Sequence, residues 1–240
     1  MKIGILAAGI TPDVLRSKYP TYAEMFAQQI AAMEPDLSFE IFDVRLDEFP
    51  ESIDCCDAWL ITGSKSDAYG DDPWITRLCE FIREVDAKNK VLVGICFGHQ
   101  VIARALGGRV AKFDGGWGVG VHHYQVADNV ATPLGRKDIA FCAFHQDQVL
   151  EKPEKMTSFL SSDFCQHAGL IYKDRILTFQ GHPEFSKAYE KELLDLYDGV
   201  TLTPAVAAKA RQTVAQAGID NQQLMAWIGT FLKGKCLHNP

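Results

Sequence analysis

Along the first hundred residues, short runs of consecutive apolar side chains alternate with stretches in which apolar positions recur every three or four residues. The short runs are residues 2–8 (KIGILAA), 38–44 (SFEIFDV), 58–62 (AWLIT) and 91–95 (VLVGI). Nearly continuous apolar runs of this length suit strands buried on both faces of a parallel sheet. Between them, residues 22–33 and 74–87 carry the apolar spacing of a helix. Strand, helix, strand, helix predicts a parallel sheet with right-handed crossovers.

The second half changes character. Residues 119–127, 140–143, 157–161, 168–172 and 176–180 are short strand candidates separated by turns, which predicts some antiparallel pairing. From Ser186 on the pattern is helical. Leu224, Trp227, Ile228, Phe231 and Leu232 form one apolar stripe, expected to dock on the chain's own domain. With no linker, repeat or low-complexity segment, the expectation is one α/β domain over residues 1–240, with residues 186–240 a helical C-terminal appendage. Its centre is an open, mostly parallel sheet flanked by helices, with some antiparallel strands in the second half.

Composition narrows the function classes. The chain is 47% hydrophobic and 23% charged, ordinary usage for a globular protein with a sizeable core. Lys and Arg total 24 against 31 Asp and Glu, a net charge of −7. No basic cluster interleaves with aromatics, so nucleic acid and anionic membrane are not expected partners. The start, MKIGILAAGI, has the outline of a small signal peptide, but the run is short and ends at Thr11-Pro12-Asp13 without a small-x-small cleavage pattern. A buried first strand is the better reading.

The seven cysteines are 55, 56, 79, 96, 142, 165 and 236. Their number is odd, none forms a C-x-x-C pair, and zinc-ligand spacing is lacking, so reduced thiols in a cytoplasm are expected, with no metal site. Six read as small buried apolar residues. Cys96 does not. It sits between Gly94 and Gly98 at the end of an apolar run, with a helical segment, residues 99–106, after it. A nucleophile on a sharp strand-to-helix turn needs small neighbours on both sides, the logic of the G-x-S-x-G elbow with cysteine in place of serine. A helix N-terminus there favours thiolate over thiol.

A nucleophile needs a base. In QGHPEF, residues 180–185, His182 and Glu184 are two apart, so the carboxylate can orient the imidazole, and Pro183 stiffens the turn. Other features carry less. GGWGVG precedes a strand instead of a helix and so fails the context of a dinucleotide site, and no cofactor is expected. His122 and His123 are adjacent, face opposite ways in a strand and cannot readily chelate one metal. Residues 64–72, with three Asp, read as a solvated loop near the mouth of the site.

GICFGHQ at 94–100 together with GHPE at 181–184 resembles the class I (triad) glutamine amidotransferases. TGS at 62–64 and GWGVG at 116–120 match further segments of that family, and FHQDQV at 144–149 is similar to its stand-alone, GMP-synthase-like members. The resemblance covers roughly residues 1–190. Where family members often carry proline in the 64–72 loop, this chain has Lys65.

The resemblance implies a flavodoxin-like sheet with the active site at the carboxyl ends of its strands. It implies Cys96 as nucleophile, His182 as acid and base, and Glu184 as the group that orients it. It implies backbone donors at Gly63 and Phe97 for an oxyanion, and Gln100, Trp117, Gly118 and His145 around the substrate. The implied reaction is hydrolysis of the glutamine side-chain amide through a γ-glutamyl thioester.

The chain beyond the resemblance is too short for a synthase domain. Three readings stay open: a glutaminase passing ammonia to a separate synthase subunit, a stand-alone hydrolase of γ-glutamyl amides or peptides, and a catalytically silent binding module.

Overall fold

The structure, a computed structural model, describes residues 1–234. Cys236, read from sequence as a small apolar residue, lies outside the described residues. The chain runs β1 (Lys2–Leu6), α1 (Tyr22–Met33), β2 (Ser38–Phe42), β3 (Ala58–Ile61), α2 (Pro73–Ala87), β4 (Val91–Ile95) and α3 (Phe97–Ala105). Then follow β5 (Arg109–Lys112), β6 (Gly118–Val126), β7 (Asp138–His145), β8 (Asp147–Glu151), β9 (Thr157–Ser161), β10 (Gly169–Tyr172) and β11 (Ile176–Phe179). Three helices close the described chain: α4 (Lys187–Tyr197), α5 (Pro204–Gln216) and α6 (Asn221–Leu232).

Helix starts follow the local chemistry. Before α1, Thr21 Oγ1 accepts from the Glu24 amide while Glu24 Oε2 accepts from the Thr21 amide, a reciprocal capping box. Those bonds hold the Glu24 carboxyl below its ordinary pKa. Pro73 opens α2, where its missing N–H removes nothing from the helix. Ser186 caps α4 by accepting from the Tyr189 amide at 3.1 Å.

The nine-stranded sheet has the order β2-β1-β3-β4-β11-β10-β9-β6-β7. Strands β2, β1, β3, β4 and β11 pair in parallel, and the pairs from β11 through β10, β9 and β6 to β7 are antiparallel. The mixed character expected for the second half is therefore present. β5 and β8 form a separate two-stranded sheet that the periodicity did not predict.

Three buried clusters fill the layers. One lies on the sheet face covered by α1 and α6, with Ile3, Ile5, Phe26, Ile30, Phe159 and Phe179. The second lies on the opposite face under α2 and α3, with Trp59, Ile61, Leu78, Ile82 and Val101. The third joins β6 and β7 to α4 and α5 through Val121, Cys142, Leu194 and Ala210.

The helices after Ser186 contribute buried side chains to the first and third of these clusters. In the α6 stripe, Trp227 meets Phe159 and Phe179 edge-on at ring centroid distances of 5.1 and 5.7 Å. Among the described residues no helix is long and apolar enough to cross a membrane.

Candidate active site

The candidate residues converge at the carboxyl ends of β3, β4 and β11, the usual location of a site in an open α/β sheet. Cys96 follows β4 directly and caps α3, with φ 52° and ψ −102°. Its amide donates to Phe179 O at 2.8 Å, and its carbonyl accepts from the Gln100 amide at 3.0 Å. The left-handed φ at a non-glycine residue costs on the order of 1–3 kcal/mol and persists only where the surroundings enforce it. The bracketing glycines are forced by close approach. A Cβ at Gly94 would stand 2.6 Å from Gly98 O, and one at Gly98 would stand 2.3 Å from Ile61 O. Strand, turn and helix are pressed together so tightly that only glycine fits on either side of the cysteine.

His182 arrives two residues after Gln180 at the end of β11. Its amide donates to Cys142 O at 2.7 Å, which ties the turn to β7. Its Nδ1 lies 2.8 Å from Glu184 Oε1, and its ring stacks on Phe185 at 4.0 Å with planes 7° apart. Both members of the pair are buried. Burial alone would depress the imidazole, but the Glu184 carboxylate and the Cys96 thiol outweigh it and hold His182 well above its ordinary value. The imidazolium is thus the favoured form beside the cysteine.

Gly63, after β3, backs this pair. A Cβ there would lie 2.8 Å from His182 Cε1 and 3.6 Å from Cys96 Cβ, so the bare backbone of Gly63 borders both groups. Among the described residues neither the Gly63 nor the Phe97 amide donates to a protein acceptor.

The remaining candidates lie on α3 and at the facing ends of β6 and β7. Gly118 pairs with His145 across β6 and β7, and Trp117 packs on Phe144 at 5.8 Å. His145 Nδ1 contacts Asp147 O at 3.1 Å, while Nε2 has no partner among the described residues. Burial pushes this imidazole down to about 3, so it is neutral. Gln100 is buried, and its amide nitrogen donates to Asp147 O at 2.8 Å and Gln180 Oε1 at 3.1 Å. Both of its hydrogens are therefore used inside the protein.

The three aspartates of the loop after Gly63 are exposed, as expected of a solvated loop, and one small residue anchors it. Ala68 is fully buried, and Arg104 Nη1 from α3 donates to Ala68 O and Gly70 O, both at 2.8 Å. Of the cysteines expected to be buried, Cys56, Cys79, Cys142 and Cys165 are, but Cys55 is exposed because it ends a single helical turn at the surface.

Two residues were not singled out in the sequence. Gln180 Nε2 stands 3.8 Å from Cys96 Sγ and links it to Gln100. Its only sequence signal is its place just before Gly181-His182. Glu190, in α4, is fully buried; its Oε1 accepts from the Gly120 amide at 2.8 Å and its Oε2 is unpartnered among the described residues. Burial raises its carboxyl to about 8. No local pattern marks a helix glutamate as an inward one.

Residues 19–196 match the family model "Glutamine amidotransferase class-I". The chain belongs to the class-I glutamine amidotransferases. Among curated members, gamma-glutamyl peptidase 5 of Arabidopsis thaliana is 33% identical over 230 residues, covering 92% of this chain and 91% of its own. Gamma-glutamyl peptidase 3 of the same plant is 31% identical over 246 residues, covering 97% of each chain. A solved glutamine amidotransferase from Thermotoga maritima superimposes with a TM-score of 0.75 over 97% of this chain and 98% of its own, at 18% identity. That likeness shows the class-I amidotransferase fold. Helices α5 and α6 lie beyond the span of the family model yet pack into the core of this member.

Proposed function

We propose that this class-I amidotransferase is a free-standing hydrolase of γ-glutamyl amide and peptide bonds. The observation that carries the reading is the strained Cys96 set beside a buried His182–Glu184 pair, with the bare Gly63 backbone against both. Cys96 Sγ attacks the γ-carbonyl carbon. The oxyanion forms between the free amides of Gly63 and Phe97, where loss of one such donor typically costs about two to three orders of magnitude in rate. His182 gives its proton to the departing amine, leaving a γ-glutamyl thioester on Cys96. The same imidazole then takes a proton from water, and glutamate leaves. Glu184 holds the ring in place throughout.

The sequence left open a glutaminase that feeds a synthase subunit and a hydrolase that acts alone. The near-full-length relatives called gamma-glutamyl peptidases favour the second. The test is glutamate release by the purified chain alone from glutamine and from a panel of γ-glutamyl dipeptides. The proposal expects dipeptide cleavage with kcat/KM at least about tenfold above glutamine hydrolysis. Glutamine turnover that rises only when a synthase is added, with dipeptides untouched, would restore the first reading. No turnover of either would leave the silent binding module.

A further inference from the structure

Cys55 and Cys56 lie at the opposite end of the sheet from Cys96, where one helical turn over Ile53–Cys55 hands the chain into β3. Their sulfurs are 3.9 Å apart, and Glu40 of β2 brings its Oε2 to 4.0 Å from Cys56 Sγ. All three donor atoms lie within 4.8 Å of one another. These spacings select a chemistry. A disulfide would need its sulfurs about 2.05 Å apart, so the pair is unbonded. Two thiolates bound at about 2.3 Å to one tetrahedral ion stand about 3.8 Å apart, close to the separation the vicinal pair already has.

We propose that Cys55, Cys56 and Glu40 form a binding site for a thiophilic divalent cation of the zinc type, with the fourth position open to water. Nothing in the spacing marks it, because the thiols are adjacent instead of spaced and the third donor comes from another strand. Charge supports the assignment. Two thiolates and one carboxylate carry three negative charges; the Lys2 ammonium, 2.5 Å from Glu40 Oε2, and a dication bring the total to zero. Lys90 Nζ donates to Cys56 O at 2.9 Å and pairs with Asp54 at 3.1 Å, which fixes the turn that presents both thiols. The exposed Cys55 supplies an entry path, and Cys56 is buried. An arriving cation displaces both thiol protons, so binding strengthens as the pH rises.

The experiment titrates Zn²⁺, and Cd²⁺ as a spectroscopic probe, into the reduced Cys96→Ala protein, which removes the other candidate thiolate. The proposal expects one equivalent bound and a cadmium–thiolate charge-transfer band in the ultraviolet. Adding Cys55→Ser, at an exposed position that leaves the fold alone, should abolish the band. Adding Glu40→Gln should weaken binding by roughly tenfold or more. Binding to Cys96→Ala no tighter than to Cys96→Ala with Cys55→Ser overturns the proposal. A band that survives removal of both Cys55 and Cys56 also overturns it, because the ion then sits on other thiols.

Discussion

At the residue scale, the positive φ of Cys96 separates chemistry from folding. Cys96→Ala should lose hydrolysis while keeping the strained turn. Cys96→Gly should be equally inactive but more stable than Cys96→Ala by about 1 kcal/mol, since glycine adopts that φ without penalty. Denaturant midpoints of the two variants check this, and equal stabilities would mean the turn is relaxed. Glu184→Gln should lower kcat by roughly two to four orders of magnitude without eliminating turnover, as an orienting carboxylate does. It should also remove a pH-dependent stability term. The His182 pKa is raised on folding, so its pairing with Glu184 stabilises fully below the ordinary value of 6.5 and is lost as pH climbs through the raised one. The stability gap between wild type and Glu184→Gln should therefore narrow as the pH rises above the ordinary value of 6.5 and through the raised one. A gap constant across that range would mean the pair is neutral. Cys96, His182 and Glu184 were legible because each stands in a short motif whose neighbours have a mechanical reason to be there. Gln180 and Glu190 were not, because their roles exist only through contacts made across the fold.

At the element scale, the parallel strands were legible because strands buried on both faces write themselves as unbroken apolar runs. β5 (RVAK) and β8 (DQVLE) were not, since they are short, half polar and paired only with each other. β8 also begins inside residues 144–149, the stretch similar to stand-alone family members. The junction of α4 with β6 yields its own prediction. Glu190 anchors the Gly120 amide on the strand that begins at Gly118. Its carboxyl rises from 4.5 to about 8 on folding, so the folded state holds an extra proton between those values and stability falls as pH rises through that window. Glu190→Gln keeps an acceptor for Gly120 and removes that loss. Its advantage over wild type should grow from about pH 5 to about pH 8, by on the order of a few kcal/mol at most. Denaturation curves at the two pH values check the sign, and an advantage that stays flat between them would mean Glu190 is ionised throughout. Glu190→Ala should instead raise KM or lower kcat by letting β6 shift.

At the scale of the whole molecule, the sheet is a rigid plate with α1 and α6 on one face and α2 and α3 on the other, and the candidate site forms along its carboxyl edge. Helix α6 closes the first face, so Trp227→Ala should destabilise the entire domain by about 3–5 kcal/mol while leaving the thermal transition cooperative. A low-temperature melting step confined to the helices would show that they are an appendage after all. The same plate carries the central claim, that Cys96 forms a covalent γ-glutamyl intermediate without help from another chain. The most direct measurement is intact-protein mass spectrometry of acid-quenched turnover with a γ-glutamyl dipeptide, followed by peptide mapping. The account predicts a transient increase equal to one γ-glutamyl group, located on Cys96 and absent from Cys96→Ala. Turnover with no adduct on Cys96 at any quench time, or the same turnover by Cys96→Ala, would contradict it.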